Sequence, residues 1–299
     1  MLKFSKEQRI FEIGGVKVGG QPGELPTVLI GSIFHKGHKI VKDRKQGIFD
    51  RRRAKSLILA QKEFSLKTGN PRMLDVVGEN SEALKKYIQF VSELDDCPIL
   101  INGPNFNVRI SSMKFAFEIG LEERVIYNSI NYTFSEREAE ALKDLGVKAA
   151  LIQAFNPRNP RPKGMVSIIK ELLKAAMDAG VDRALLLTPI LDVPSIGLGA
   201  EGLWMIKNEV GLPTGTVPLG VIGKWKRSTE FGEVSKKMFW AGALALSQAM
   251  GADFIIYGSV AKARYVFPLC AMVDAVIAYN ARMSGLKPLT RNHPLYKIL

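Results

Sequence analysis

The sequence predicts a (β/α)8 TIM barrel, and three observations carry that prediction. Eight short runs rich in Val and Ile recur along the 299 residues. Longer amphipathic stretches separate them. The runs are almost continuously apolar, as strands of a parallel sheet covered on both faces must be. Eight such units over this length fit a closed barrel, which runs to about 250 residues as one domain. An open doubly wound sheet is the competitor, but no Gly-x-Gly-x-x-Gly follows the first run. No linker is long enough for a second domain, so residues 1–299 are expected to form one barrel, with 1–26 capping it.

The elements follow in order. "FEIGGVKVGGQPGE" has the glycine turns of a β-hairpin, which suits a cap on the bottom of the barrel. The first strand is predicted over 27–34, the second over 73–78 and the third over 98–101. The fourth to sixth are 124–128, 149–155 and 183–187, followed by a weak seventh at 214–218 and an eighth at 252–257. Between the first two, Asp50 caps a helix that Gly69-Asn70 stops. Asn80 or Ser81 caps the next helix, "NSEALKKYIQFVSELD". "SEREAEALKDLG" has acidic residues in its first turn and Gly146 at its end, matching the helix dipole and a glycine C-cap. "MVSIIKELLKAAMDAG" and "KKMFWAGALALSQAMG" end in the same way, and an apolar helix near "VFPLCAMVDAVIAYNARMSG" follows strand eight.

Composition narrows the class. With 46% hydrophobic and 24% charged residues the chain is globular rather than disordered. Cys97 and Cys270 are far apart, in no Cys-x-x-Cys, and read as buried thiols of a reducing compartment. The start "MLKFSKEQRI" has no signal-peptide pattern, and no apolar run reaches ~20 residues, so a cytoplasmic protein with no membrane span is expected. The net charge of +13 reads either as a solvated Lys-rich surface or as a field for an anionic partner. Nucleic acid is not expected, because the basic residues are scattered and no nucleic-acid-binding motif is visible.

In such barrels the chemistry gathers at the C-terminal ends of the strands. Just past the predicted strands stand His35 and His38, then Glu79, then Asn102, Asn105, Asn107 and Arg109. Asn128 and Ser129 follow, then Asn156 with "PRNPRPK", Thr188 and Asp192, Gly220 and Lys224, and Ser259 and Lys262. This ring is rich in amides and short of carboxylates. Converging amides, which both donate and accept, suit a flat heterocycle rather than a hard metal. No metal site is expected, since His35 and His38 lack a third ligand nearby. No Gly-x-Ser-x-Gly supports a hydrolase. Glu79 reads equally as a general acid or as a carboxylate at a helix N-terminus, and Asn102 alone could be turn chemistry.

Blocks spread over nearly the whole chain resemble a known family. They are "GGVKVGGQPGELPTVLIGSIF", "GHKIV", "QGIFD", "TGNP", "RVIYNSIN", "AFNP", "GADFIIYG" and "HPLYKIL". Together they are similar to the H subunit of tetrahydromethanopterin S-methyltransferase, a family that includes methylcorrinoid–tetrahydrofolate methyltransferases. The resemblance implies a pterin-binding barrel, a homodimer, and methyl transfer between N5 of a tetrahydropterin and the cobalt of a corrinoid (cobalamin) on a separate protein. It implies a soluble chain, peripheral to a larger methyltransferase complex at most. With the strand-end positions above, the candidate catalytic residues are Asn102 and Asn128, and the candidate substrate-binding residues are Glu79, Asn102, Arg109, Asn128, Asn156 and Asp192. The family's Arg and Asn are kept as Arg109 and Asn128. Its acid after strand three is Asn102 here, its acid after strand six aligns with Leu187, and its Asn after strand seven aligns with Gly220. Asp192 or Glu79 is therefore expected to supply the missing carboxylate. The alternative is a diverged relative that binds the corrinoid protein as a scaffold, or uses another methyl donor.

Overall fold

All eight predicted strands form, and they close on themselves. The structure, a computed structural model, describes residues 3–299. In chain order its strands are β1 (Ile10–Ile13), β2 (Val16–Gly19), β3 (Val28–Ile33), β4 (Val41–Asp43), β5 (Ile48–Phe49), β6 (Arg72–Val77), β7 (Ile99–Asn102), β8 (Val125–Ile130), β9 (Ala149–Gln153), β10 (Arg183–Thr188), β11 (Thr214–Thr216) and β12 (Phe254–Ser259). The barrel order is β3-β6-β7-β8-β9-β10-β11-β12, with β12 pairing back to β3, and every pairing is parallel. The weak seventh run is the shortest barrel strand, three residues long.

The helices around the barrel are α1 (Arg51–Thr68), α2 (Ser81–Leu94), α3 (Phe106–Glu118), α4 (Glu136–Leu145), α5 (Pro162–Asp178), α6 (Ser195–Glu209), α9 (Gly232–Ala249) and α10 (Ala263–Met283). The short α7 (Leu219–Lys224), α8 (Arg227–Glu230) and α11 (Pro294–Lys297), like the β4–β5 hairpin, carry no long hydrophobic period for the sequence to show. The predicted caps are in place. Asp50, Asn80 and Ser135 accept backbone N–H groups of the first turns of α1, α2 and α4, and Gly69 and Gly146 end α1 and α4 in the left-handed conformation.

Side chains alternate between the barrel lumen and the helix layer. Ile30, Met73, Leu100, Ile126, Leu151 and Phe254 form the lumen's apolar cluster, and Ile13 and Val18 of the β1–β2 hairpin join it. The hairpin is fixed at the N-terminal ends of the strands by Gly14 N–H to Glu123 O at 2.9 Å and Arg9 N–H to Gly211 O at 2.9 Å. Beside it, the buried Lys207 Nζ bonds both oxygens of Asp253, at 2.5 and 2.6 Å, and also Gly20 O. The lower lumen is thus filled by apolar side chains and closed by the hairpin.

Candidate functional site

The upper lumen is built around a carboxylate that lies inside a predicted strand. Asp75 is the fourth residue of β6, in phase with Met73, so it points into the barrel one layer above the apolar cluster. It is 4% exposed. Ser32 of β3 donates to its Oδ2 at 2.7 Å, and Asn102 of β7 and Asn128 of β8 donate to its Oδ1 at 3.0 and 3.1 Å. Ser32 is register partner of Asp75, and Asn102 of Asn128, so four adjacent strands contribute to one cluster. Beyond it, Gln153 at the end of β9 donates to Ser129 Oγ at 2.7 Å, where the β8–β9 register shifts.

Burial pushes the Asp75 carboxyl above the usual carboxylate range, although its three hydrogen bonds and the nearby His35 act in the other direction. The cluster also fixes the orientation of both amides. A carboxylate only accepts, so Asn102 and Asn128 turn their NH2 groups inward to it. Their carbonyl oxygens, which have no protein partner among the described residues, are left to face the mouth. The rim therefore offers two acceptors over an acid, a fitting surface for a planar ring with N–H donors.

The other residues singled out in the sequence have different placements. Arg109 is buried in the first turn of α3, where it donates to Gly103 O at 3.1 Å and pairs with Glu138 at 3.0 Å. Tyr127 donates to the same Glu138 oxygen. Arg109 thus braces β7, α3 and α4 from behind the lumen wall and has no free fork to offer a substrate. Glu79 pairs with Arg44 at the surface of the loop after β6. Asn156 organises its own loop, accepting from Arg158 N and Asn159 N and donating to Gly164 O. Asp192 is exposed and accepts from Ser195 N at 2.9 Å, closing the first turn of α6. It lines cavities of about 480 and 520 Å³ on the rim but takes no part in the Asp75 cluster. The acid of the lumen is therefore Asp75, where the sequence suggests Asp192 or Glu79. Asn105 caps α3, as the turn reading of the asparagines anticipates.

Leu187 and Gly220 stand where the family resemblance expects an acid and an amide. Leu187 is buried in the lumen cluster, and Gly220 lies in α7 on the rim. His35 and His38 stack with ring centroids 4.7 Å apart rather than converging on a point. His38 Nδ1 accepts from Phe34 N at 3.1 Å, and its pKa is lowered to about 4 by burial, aided by the charges of His35 and Arg53.

Comparison with known proteins bears on the family and the fold. The family model of the tetrahydromethanopterin S-methyltransferase MtrH subunit matches residues 6–289. The H subunit of tetrahydromethanopterin S-methyltransferase from Methanothermobacter marburgensis is 37% identical over 314 residues, covering 100% of both chains. The H subunit of the putative methyltransferase mtx from Methanosarcina mazei is 37% identical over 308 residues, covering 99% of each. Among solved structures, Yersinia pestis dihydropteroate synthase with a pterine-sulfa conjugate superposes with a TM-score of 0.63 at 12% identity. That match covers 90% of this chain and 98% of that one. Xanthomonas albilineans dihydropteroate synthase, in complex with indole-2-carboxylic acid and 6-chloroguanine, gives 0.60 at 17%, covering 90% and 98%. These likenesses establish the barrel fold. The match along the whole sequence establishes more: this chain belongs to the tetrahydromethanopterin S-methyltransferase MtrH subunit family, and is a methyltransferase.

Proposed function

We propose that this methyltransferase moves a methyl group between N5 of a tetrahydropterin and the cobalt of a corrinoid carried by a separate protein. The observation that carries the reading is the Asp75–Asn102–Asn128 cluster at the mouth. The pyrimidine half of a tetrahydropterin is planar and edged with N–H donors, and the two outward carbonyl oxygens match such an edge. The corrinoid supplies a strong cobalt nucleophile or methyl donor. What remains for this chain is to hold the ring in line and to manage the proton at N5, since an amine leaves poorly unless protonated.

Asp75 is the acid we assign to that task. Burial keeps its carboxyl protonated to higher pH than an exposed aspartate. Ser32, Asn102 and Asn128 all donate to it and fix where the carboxyl group sits. General acid assistance of this kind contributes roughly 10²–10⁴-fold. The scaffold alternative rests on Asn102, Leu187 and Gly220 at positions where the family resemblance expects an acid, an acid and an amide, and Asp75 supports the enzymatic reading beside it. A homodimer belongs to the same proposal. Met272, Val276, Tyr279 and Met283 are exposed along one stripe of α10, a surface that a second copy would cover.

The test is calorimetric titration of the protein with tetrahydrofolate and tetrahydromethanopterin, then methyl transfer to Co(I) cobalamin followed by absorbance. Binding of at least one pterin is expected, with a transfer rate that falls in Asn128→Ala. Binding of neither at millimolar concentration overturns the reading.

A further inference from the structure

A cavity of about 420 Å³ adjoins the Asp75 cluster where β12 meets β3, and its lining is cationic. Its walls include His35, His38 and Lys39 from the connection after β3, Arg53 and Ser56 from the first turns of α1, and Ser259 from the end of β12. Among the described residues neither Lys39 nor Arg53 has a carboxylate within ion-pair distance. The local excess of charge explains why: the segment from Lys36 to Lys55 holds nine Lys and Arg against two Asp. The Ser56 and Ser259 hydroxyls likewise have no partner of their own among the described residues. His35 adds a third kind of evidence. Its Nδ1 is satisfied by Lys36 O at 3.0 Å, so Nδ1 carries the hydrogen, while Nε2 is buried with no partner. A buried ring nitrogen without a partner is costly unless a ligand meets it. Two free cations and two free hydroxyls surround one space, and the Nε2 lone pair beside them accepts a hydrogen bond from a protonated ligand oxygen rather than meeting a bare oxyanion.

We propose that this cavity is an oxyanion subsite that takes a carboxylate or phosphate on the tail of the methyl-carrying substrate, beside the ring bound over Asp75. The inference rests on the pterin reading for the identity of the tail, but not for the chemistry of the site. Ser259 is the register partner of Ser32, which donates to Asp75, so the two sites share a wall. A tail leaving the ring over Asp75 toward β12 enters the cavity directly. The arrangement of point-charge Lys, forked Arg and hydroxyl donors is that of an oxyanion site. The basic field of the β3–α1 connection draws an anion to it.

The test uses the full chain and the double variant Lys39→Ala/Arg53→Ala. Both side chains are exposed, so folding is unaffected. Calorimetry compares tetrahydrofolate and tetrahydromethanopterin, which carry anionic tails, with 6-methyltetrahydropterin, which has none. The wild type is expected to bind the tailed pterins at least ten-fold more tightly than the tailless one. That preference is expected to vanish in the double variant and to shrink in high salt, with tailless affinity unchanged. A preference that survives in the double variant, or is absent from the wild type, overturns the proposal. If the wild type binds no pterin, the functional reading fails and the subsite is judged separately with inorganic phosphate. The chain has only three histidines, so the imidazole NMR signals of His35 and His38 are readily assigned. Saturable shifts on adding phosphate, lost in the double variant, sustain the subsite, and their absence overturns it.

Discussion

At the scale of the residue, Asp75 is both the most costly side chain in the upper lumen and the most informative. Its raised pKa has a definite consequence for stability. Between the unfolded value near 3.8 and the higher folded value, the native state holds a proton that the unfolded chain has lost. Stability therefore falls as pH rises through that window, and above it the buried charge is borne in full. Asp75→Asn is isosteric and keeps every contact: its carbonyl accepts from both asparagines, and its NH2 donates to the Ser32 hydroxyl. We expect Asp75→Asn to melt at the same temperature as the wild type or higher at pH 8, with the gap closing toward pH 4 in melts run across that range. Asn128→Ala takes one donor from the buried carboxylate and should cost about 1–3 kcal/mol in chemical denaturation at pH 8. The sequence hides Asp75 because it sits inside the apolar run Met73-Leu-Asp-Val-Val, whereas the rule of the barrel directs attention just beyond each run. The phase of the strand reveals it. Met73 and Asp75 share the lumen face, as do Ile30 and Ser32 of the neighbouring strand. Asn102 and Asn128 are legible because they end or interrupt their runs.

At the scale of the element, the strand-to-helix connections shape the site. Arg109 reads from sequence as a ligand residue because it follows the strand-three asparagines, yet α3 starts at Phe106 and turns it toward Glu138. Sequence spacing cannot show that pairing, which bridges 29 residues. Both charges are buried and paired with each other, so removing one strands its partner. Glu138→Ala should cost about 3–5 kcal/mol, read as a lower denaturation midpoint. The β3–α1 connection is held by His38, and the C-terminal turn α11 by His293. Each accepts a backbone N–H at Nδ1, and burial lowers each pKa to about 4. The unfolded chain takes up these protons near pH 6.5 but the native state does not, so stability is full above 6.5 and is lost as pH falls toward 4. His293→Asn should flatten this acid loss in denaturation curves at pH 7.5 and 5. At the end of α1, Gly69 has φ 83°, and a Cβ there would run into the carbonyl oxygen of Asn292. Gly69→Ala should lower the melting temperature by several degrees, since both the backbone and the C-terminal segment must shift.

At the scale of the whole molecule, the barrel separates support from chemistry. The hairpin, the Lys207–Asp253 pair and the lumen cluster close one end. Ser32, Asp75, Asn102 and Asn128 gather at the other. This architecture is legible because seven of the eight barrel strands lie in short, mostly apolar runs, with only β11, Thr-Gly-Thr, weakly marked, and closure follows from eight such units. What the sequence cannot show is which inward positions meet, because that depends on the register between strands distant in the chain. No described helix is long and apolar enough to cross a membrane. We assign the chemistry of this methyltransferase to the Asp75 cluster, and Asp75→Asn separates that role from folding. The decisive measurement is the single-turnover rate of methyl transfer from a methyl-tetrahydropterin to Co(I) cobalamin at pH 7, in wild type and Asp75→Asn. We predict a fall of about 10²-fold or more in a variant whose melting temperature is undiminished. An unchanged rate would contradict the account.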